Sequence, residues 1–368
     1  MSLIRVAVVL PQREKFGPKV AGAIALTVRD FVHGTNKQSI TSVLGHQQND
    51  TFENIDFIGI EDKKIQFFSR SKSYTKQCIN ALKKVAVDII EVHNRVAAAI
   101  AIKKAFPQLR VALYLHNDPH TIRGLKTSAE RVKVCEVLDV VICVSEFVKS
   151  RFVYKNTSPS NVFTVFNALS GLPFTVSLEQ KKPLIVFAGR IVPDKGPLLL
   201  AQALRKVLPQ HSEWRCVFVG AAFYGATEPQ TDYEKEVIAT ISGLGDAVEY
   251  MNSQPNQRVM DLLRQASIMV MPSVWEEPFG RSLLEAMASG CACITTRRGG
   301  LPEVAGEHAI VLNTITNETI ADALHLLITN VTLCKQTQRF SKQYIESRFS
   351  IETQSNKLHN IRSQLLQY

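Results

Sequence analysis

The segment "SIMVMPSVWEEPFGRSLLEAMASGCACITT" runs from Ser267 to Thr296. It opens on an apolar run, 267–273, of strand length. The chain then turns at Pro278 and Gly280, which stiffen and open the backbone in succession. From about Arg281 to Ser289 apolar and small residues recur at helical spacing, and a second apolar, β-branched run follows at 291–296. Strand, loop, helix and strand in that order describe a crossover between parallel strands, which predicts an α/β fold.

The same segment carries two acids, Glu277 in the loop and Glu285 inside the helix. The first amides of that helix, near Phe279 to Ser282, have no partners within it and bear about half a positive charge. Such an end suits a phosphate. A carboxylate accepts paired hydrogen bonds from vicinal hydroxyls, each netting about 1.5–3 kcal/mol. Two acids flanking a phosphate site therefore point to a sugar at each end of a diphosphate, that is, to a nucleotide sugar. The plainer alternatives are that Glu277 complements the helix dipole and that Glu285 is a surface acid. The second fits poorly with "LLEAMASG", which is otherwise apolar or small.

Working outward, the pattern repeats. Runs at 183–190, 214–220, 247–251 and 309–312 predict further strands, with helices between the strands, for example at 197–207 and 256–266, and residues 315–368 look almost wholly helical. The first half reads the same way. Strands are expected at 4–11, 87–93, 110–117, 140–145 and 161–167, and helices at 21–32 and 95–106, with a short helix after 145 through Phe152. Short continuous apolar strands between helices predict parallel sheets covered on both faces. The turn-rich stretch 168–183 reads as a linker. The expected organisation is a first Rossmann-like domain over 1–172, a second over 173–345, and a terminal helix, 346–368, packing back toward the first. Two such doubly wound domains facing across a cleft place ligands at the C-terminal ends of the strands.

Composition narrows the class. The chain has 368 residues, 45% hydrophobic and 21% charged, the mix of a globular protein. No apolar run reaches membrane-spanning length, and the start reads as a buried strand, not as a signal peptide. Seven scattered cysteines give no zinc or CxxC spacing and suit a reducing cytoplasm. The net charge of +10 is uneven: residues 1–170 hold 24 Lys and Arg against 14 Asp and Glu, while residues 171–368 hold 19 of each. Either the first half faces something anionic, or surplus lysines keep its surface soluble. No G-x-G-x-x-G follows a strand and no G-x-x-x-x-G-K-[ST] occurs, which argues against a nicotinamide dehydrogenase and a P-loop NTPase.

A second motif, "FAGRIVPDKG" (187–196), ends a strand with Arg190 and Lys195 in a loop closed by Gly196. A guanidinium fork and a mobile ammonium together suit a diphosphate. With it, the chain resembles the family 4 retaining glycosyltransferases of GT-B fold. "EPFGRSLLE" is similar to their E-x7-E motif, "GRIVPDKG" to their G-R-x-x-x-x-K-G loop, and "GGLPEV" (299–304) to their G-G-x-P-E segment. The resemblance implies that Arg190 and Lys195 hold the donor diphosphate, Glu285 the ribose and Glu277 the transferred sugar. It implies that Phe279, Gly280, Arg281, Ser282 and Leu283 contact sugar or phosphate, and that the stretch containing Met251 meets the base. Gly17 would close over the phosphate, and His116 would bond a donor-sugar hydroxyl near the anomeric carbon. His93, Asn94, Arg95, Asp118 and His120 would serve the acceptor side, with His120 or Asp118 able to replace His116. The first loop departs from the family in one respect: Gly17 and Gly22 stand apart, with Pro18 between them.

The mechanism so implied has no enzyme nucleophile. The acceptor attacks from the face the diphosphate leaves, and the leaving phosphate takes the proton. Arg190, Lys195 and the helix end would stabilise the departing charge. With no D-x-D triplet in the chain, no cofactor and no divalent metal are expected. UDP is the default donor base and GDP the alternative. The acceptor would be a glycan or lipid-linked sugar of lipopolysaccharide, capsule or exopolysaccharide synthesis. The basic first half, including 67–84, could rest on an anionic membrane surface at the inner face of the plasma membrane. Nucleic acid is not an expected partner. An epimerase or phosphorylase of the same architecture, and a non-enzymatic nucleotide-sugar or nucleic-acid binder, are the rival readings.

Overall fold

The computed structural model describes residues 3–61, 70–153, 159–171 and 178–367. The chain divides into two compact units, residues 1–170 with 351–368, and residues 171–350. The expected linker at 168–183 lies partly outside the described residues, as does the start of the basic stretch at 67–84.

The first unit runs β1 (Ile4–Val9), α1 (Ala23–Gly34), β2 (Ser39–His46), β3 (Asp56–Ile60), α2 (Arg70–Leu82), β4 (Ile89–His93), α3 (Val96–Ala105), β5 (Arg110–Leu115), α4 (Ser128–Val137), β6 (Val140–Cys143), α5 (Glu146–Phe152) and β7 (Val162–Thr164). Its sheet has the order β3-β2-β1-β4-β5-β6-β7. Every recorded pairing is parallel. From β1 the chain winds one way to β3, and from β4 it winds the other way to β7. The reversal falls between β1 and β4, and a crevice forms beyond the strand ends at such a point.

The second unit runs β8 (Lys182–Ala188), α6 (Pro197–Val207), β9 (Arg215–Val219), α7 (Asp232–Ser242), β10 (Val248–Met251), α8 (Asn256–Gln265), β11 (Ala266–Val270), α9 (Arg281–Ala288), β12 (Ala292–Thr296), α10 (Leu301–Ala305), β13 (Ile310–Leu312), α11 (Asn317–Thr329) and α12 (Val331–Arg348). Its sheet order is β10-β9-β8-β11-β12-β13, again parallel, with the reversal between β8 and β11. The core of this unit joins Ile185, Phe187, Leu200, Leu204, Phe218, Ile268, Ile294 and Leu324 from strands and helices alike.

The last helix, α13 (Ile351–Gln367), belongs to the first unit. Arg362 on α13 makes a two-pronged pair with Glu91 on β4, Nε to Oε1 at 2.8 Å and Nη2 to Oε2 at 2.9 Å, both side chains almost fully enclosed. Gln354 accepts the amide of Phe166 at 3.1 Å, and Gln38 donates to Asn356 at 2.8 Å.

Two strands, β2 and β3, and two helices, α2 and α4, have no counterpart in the sequence expectations. On α2 the apolar residues Tyr74, Cys78 and Leu82 are buried, and Tyr74 donates to the carbonyl of Leu10 at 3.1 Å. The outward residues of this helix include Lys72 and Lys76. It therefore offers charge, and no apolar face, to a surface outside. No described helix is long and apolar enough to cross a membrane.

Candidate active site

In the second unit the loops after β8 and β11 leave adjacent strands at the reversal point, and they are locked together. The amide of Val274 donates to the carbonyl of Asp194 at 2.9 Å. Gly196 has φ +68°, and a Cβ there would stand 2.2 Å from the carbonyl oxygen of Pro272. Any larger residue would both strain the backbone and push the loops apart. The "GGLPEV" segment has a similar role. Gly299 has φ +57°, its Cβ position lies 2.1 Å from the carbonyl oxygen of Glu277, and the amide of Gly300 donates to that oxygen at 2.7 Å. Glycines are required here because the backbone of the Glu277 loop lies directly against them.

This packing brings the expected residues together. Lys195 Nζ contacts Glu277 Oε1, which also accepts from Ser273 Oγ at 2.6 Å. The Lys195 ammonium stands 5.2 Å from the ring centre of Trp275, a cation–π arrangement. Glu277 is 4% exposed, and its recorded side-chain bonds all fall on Oε1. Its Oε2 is left to accept, and Lys195 keeps further N–H donors. The Arg190 guanidinium makes no recorded hydrogen bond or ion pair with the described residues, while its loop is tied down by Gly189 and Ile191 amides donating to Val219 and Ala221.

Helix α9 begins at Arg281 behind Gly280, which sits at φ +98° and supplies no capping side chain; the first turn holds no acid. No side chain caps its leading amides, the arrangement that suits an anion. Glu285 is 4% exposed. Its Oε1 accepts from Arg281 Nε at 3.0 Å and from Asn256 Nδ2 at 3.2 Å, leaving Oε2 to accept. Arg281 and Glu285 sit four apart on one helix, so they share a face. The Arg281 guanidinium is thereby engaged with Glu285. Leu283 and Phe279 are core residues, the latter edge-on to Phe349 at 5.9 Å, so only their main chains can face a ligand. Ser282 is half-buried. The Met251 carbonyl accepts from Gly220 at 2.9 Å and is already used.

In the first unit His116 follows β5. Its Nε2 lies 2.8 Å from His93 Nδ1, and the rings of His93, Tyr114 and His116 stack with centres 4.9–5.0 Å apart. His93 is enclosed, and its Nε2 has no partner. It does not line a surface, as an acceptor residue would; it is the second ring beneath His116. Burial, with a smaller push from Arg362, lowers the His93 pKa to about 3, and burial together with His93 depresses His116. Both rings are therefore neutral. An unpaired buried lone pair costs less than an unpaired buried N–H, so His93 Nδ1 is the donor. His116 then accepts at Nε2 and carries its proton on Nδ1, a donor available to a hydroxyl.

These depressed values set a stability prediction. Below about 6.5 the unfolded chain binds protons that the folded rings refuse until far lower pH. Stability is thus complete above pH 6.5 and falls as pH drops. The loss approaches about 1.4 kcal/mol per pH unit for each ring. Urea midpoints measured from pH 7.5 to 5 are expected to fall accordingly, and His93→Phe, which keeps the stack, removes about half of the slope.

The other acceptor-side residues are placed as follows. Asn94 has φ +55° and accepts the His116 amide at 2.8 Å, holding the two strand ends together. Arg95 is exposed and donates to Ser71 Oγ. Asp118 is buried and committed, accepting the amide of His120 at 2.9 Å and the Arg151 guanidinium at 3.1 Å. It holds the turn at Pro119–Thr121. His120 is half-buried. Gly17 packs within its own unit, with Asp50 O 2.1 Å from its Cβ position. Ser273, Trp275 and Asn256 were not anticipated. Ser273 and Trp275 stand in the decisive segment itself, at spacings of four and two from Glu277.

Comparisons with known proteins bear on the family resemblance and the fold. Residues 173–345 match the family model of the glycosyl transferases group 1. YtcC of Bacillus subtilis is 25% identical over 317 residues, 80% of this chain and 76% of its own. The lipopolysaccharide 1,2-N-acetylglucosaminetransferase of Salmonella typhimurium is 23% identical over 265 residues, 68% of this chain and 65% of its own. Among solved structures, a glycosyltransferase of Rickettsia africae superposes with a TM-score of 0.78 at 17% identity, covering 100% of this chain and 99% of that one. Anabaena Alr3699/HepE, solved with UDP and glucose, superposes with a TM-score of 0.75 at 18% identity, covering 97% and 99%. Residues 173–345 thus match the glycosyl transferases group 1, and the two doubly wound parallel sheets are those of the GT-B fold.

Proposed function

We propose that the chain is a retaining hexosyltransferase that takes its sugar from UDP and passes it to a glycan or lipid-linked acceptor. The observation that carries this reading is the assembly at the β8/β11 reversal. There, Arg190, Lys195 and the uncapped end of α9 offer positive charge between two enclosed carboxylates, Glu277 and Glu285. In this reading the cations and amides hold the diphosphate, Oε2 of Glu285 takes the ribose, and Oε2 of Glu277 takes the sugar. As the glycosidic bond breaks, negative charge grows on the leaving phosphate, and fixed donors stabilise it most where water is scarce. No divalent metal is needed for that charge. In the first unit a neutral His116 keeps one ring N–H, a donor of the kind a sugar hydroxyl accepts. Binding of UDP and glucose by the Anabaena protein supports a UDP-sugar, and the Salmonella relative supports a surface glycan as product.

The test is NMR of the product formed from UDP-glucose and other UDP-hexoses with a panel of glycan and lipid-linked acceptors. A transferred sugar whose anomeric configuration matches the donor's, formed at the same rate in EDTA, is the expected result. An inverted linkage, or a sugar epimerised without transfer, would overturn the reading.

A further inference from the structure

The first unit has a crevice of its own at the β1/β4 reversal. An open cavity of about 640 Å³ is lined by Gln12, Arg13 and Lys15 after β1, His46 at the end of β2, Arg70 and Ser71 at the start of α2, and Arg95 after β4. Four of these are cations, and none of the described lining residues is an acid. Arg13, Lys15, Arg70 and Arg95 are exposed, and no ion pair with the described residues engages any of them. The one acid of the β1–α1 loop, Glu14, is turned away: its Oε1 accepts the amide of Ala25 at 3.0 Å and so serves the end of α1. Neither α2 nor α3 has an acid in its first turn, and Arg95 gives α3 no capping side chain.

Solvent-exposed like charges repel, and a fold gains nothing by gathering them without a counterion. Three guanidinium forks around one crevice match the oxygens of a phosphate, which they can bind in pairs. The Nδ1 of His46 is buried without a partner. The uneven charge of the sequence, whose whole excess falls in residues 1–170, has a location here.

We infer that the first-unit cavity binds a phosphate or diphosphate ester, so that the acceptor is a phosphorylated molecule. This rests on the transferase reading for the word acceptor, but the anion site itself does not. The phosphate has two sources, a soluble sugar phosphate or a phospholipid headgroup, and the same cations serve either.

The test is calorimetry on the full chain. Inorganic phosphate and glucose 6-phosphate are titrated into the native chain, Arg13→Gln/Arg70→Gln and Lys195→Met, and UDP is titrated in parallel. The arginine variant is expected to weaken phosphate binding about 10- to 100-fold, through loss of two charge-assisted contacts, while UDP affinity follows Lys195 instead. Unchanged phosphate affinity in the arginine variant would overturn the inference. So would a parallel fall in UDP affinity, which would give these cations to the donor. A native chain that binds phosphate but not UDP would sink the transferase reading alone. Flotation with phosphatidylcholine vesicles containing phosphatidic acid separates the sources. Arginine-dependent capture without glucose 6-phosphate binding supports a lipid, arginine-dependent glucose 6-phosphate binding supports a soluble acceptor, and neither contradicts the site.

Discussion

Lys195→Met is expected to lower the transfer rate about 100- to 1,000-fold, the usual loss when one fixed donor to a developing oxyanion is removed. Lys195 stands at the centre of the site, in contact with Glu277 and over Trp275. Its removal has a second consequence. Glu277, with a side chain only 5% exposed, keeps Ser273 alone as a partner. An enclosed carboxylate without its cation costs several kcal/mol. Lys195→Met/Glu277→Gln relieves that cost and separates the two effects. The double variant is expected to regain the native urea midpoint and to stay as inactive as the single one. Recovery of both would show the pair to be structural only, and steady-state rates measured beside urea curves decide it.

The other large effect lies far along the chain, at Arg362. Arg362→Met leaves Glu91, 2% exposed in a central strand, with no cation. A loss of about 3–5 kcal/mol is expected, a large share of the roughly 5–15 kcal/mol that holds a typical domain. Replacing both partners, as Arg362→Met/Glu91→Met, is expected to restore most of it, since two apolar side chains carry no desolvation penalty. Urea denaturation measures both. A single variant as stable as the native chain would mean that α13 does not depend on the pair.

The second unit was the more legible in sequence, for a physical reason. Its strands are continuous apolar runs such as "IMV" and "VFVG", because both sheet faces are covered, and glycines and prolines punctuate them. The strand β2, "SITSVLGH", mixes Ser, Thr and Gly with few large side chains, and β3, at the sheet edge, buries Ile60 alone. Neither stands out from a loop. The helix α4 was missed although it opens on a Thr-x-x-Glu capping box at Thr127, a signal that sequence does carry.

At the site, residue identities were readable but partnerships were not. Lys195 and Glu277 are 82 positions apart, and Glu91 and Arg362 are 271 apart. Only the winding of the chain makes them neighbours. His93 shows the opposite limit. At the end of a strand it reads as a polar residue facing a ligand, yet stacking against Tyr114 and His116 hides its ring. By contrast, the i, i+4 pair Arg281 and Glu285 lies within one helix and could have been anticipated from spacing alone.

The central claim is that a nucleotide sugar sits at the β8/β11 reversal, beside Trp275. Both tryptophans, Trp214 and Trp275, are in the second unit, so their fluorescence reports on that unit directly. Titration with UDP-glucose is expected to give a saturable change in emission that Lys195→Met and Glu285→Gln each weaken. Emission that stays flat up to millimolar UDP-glucose and GDP-mannose, or a response that neither substitution alters, would contradict the account.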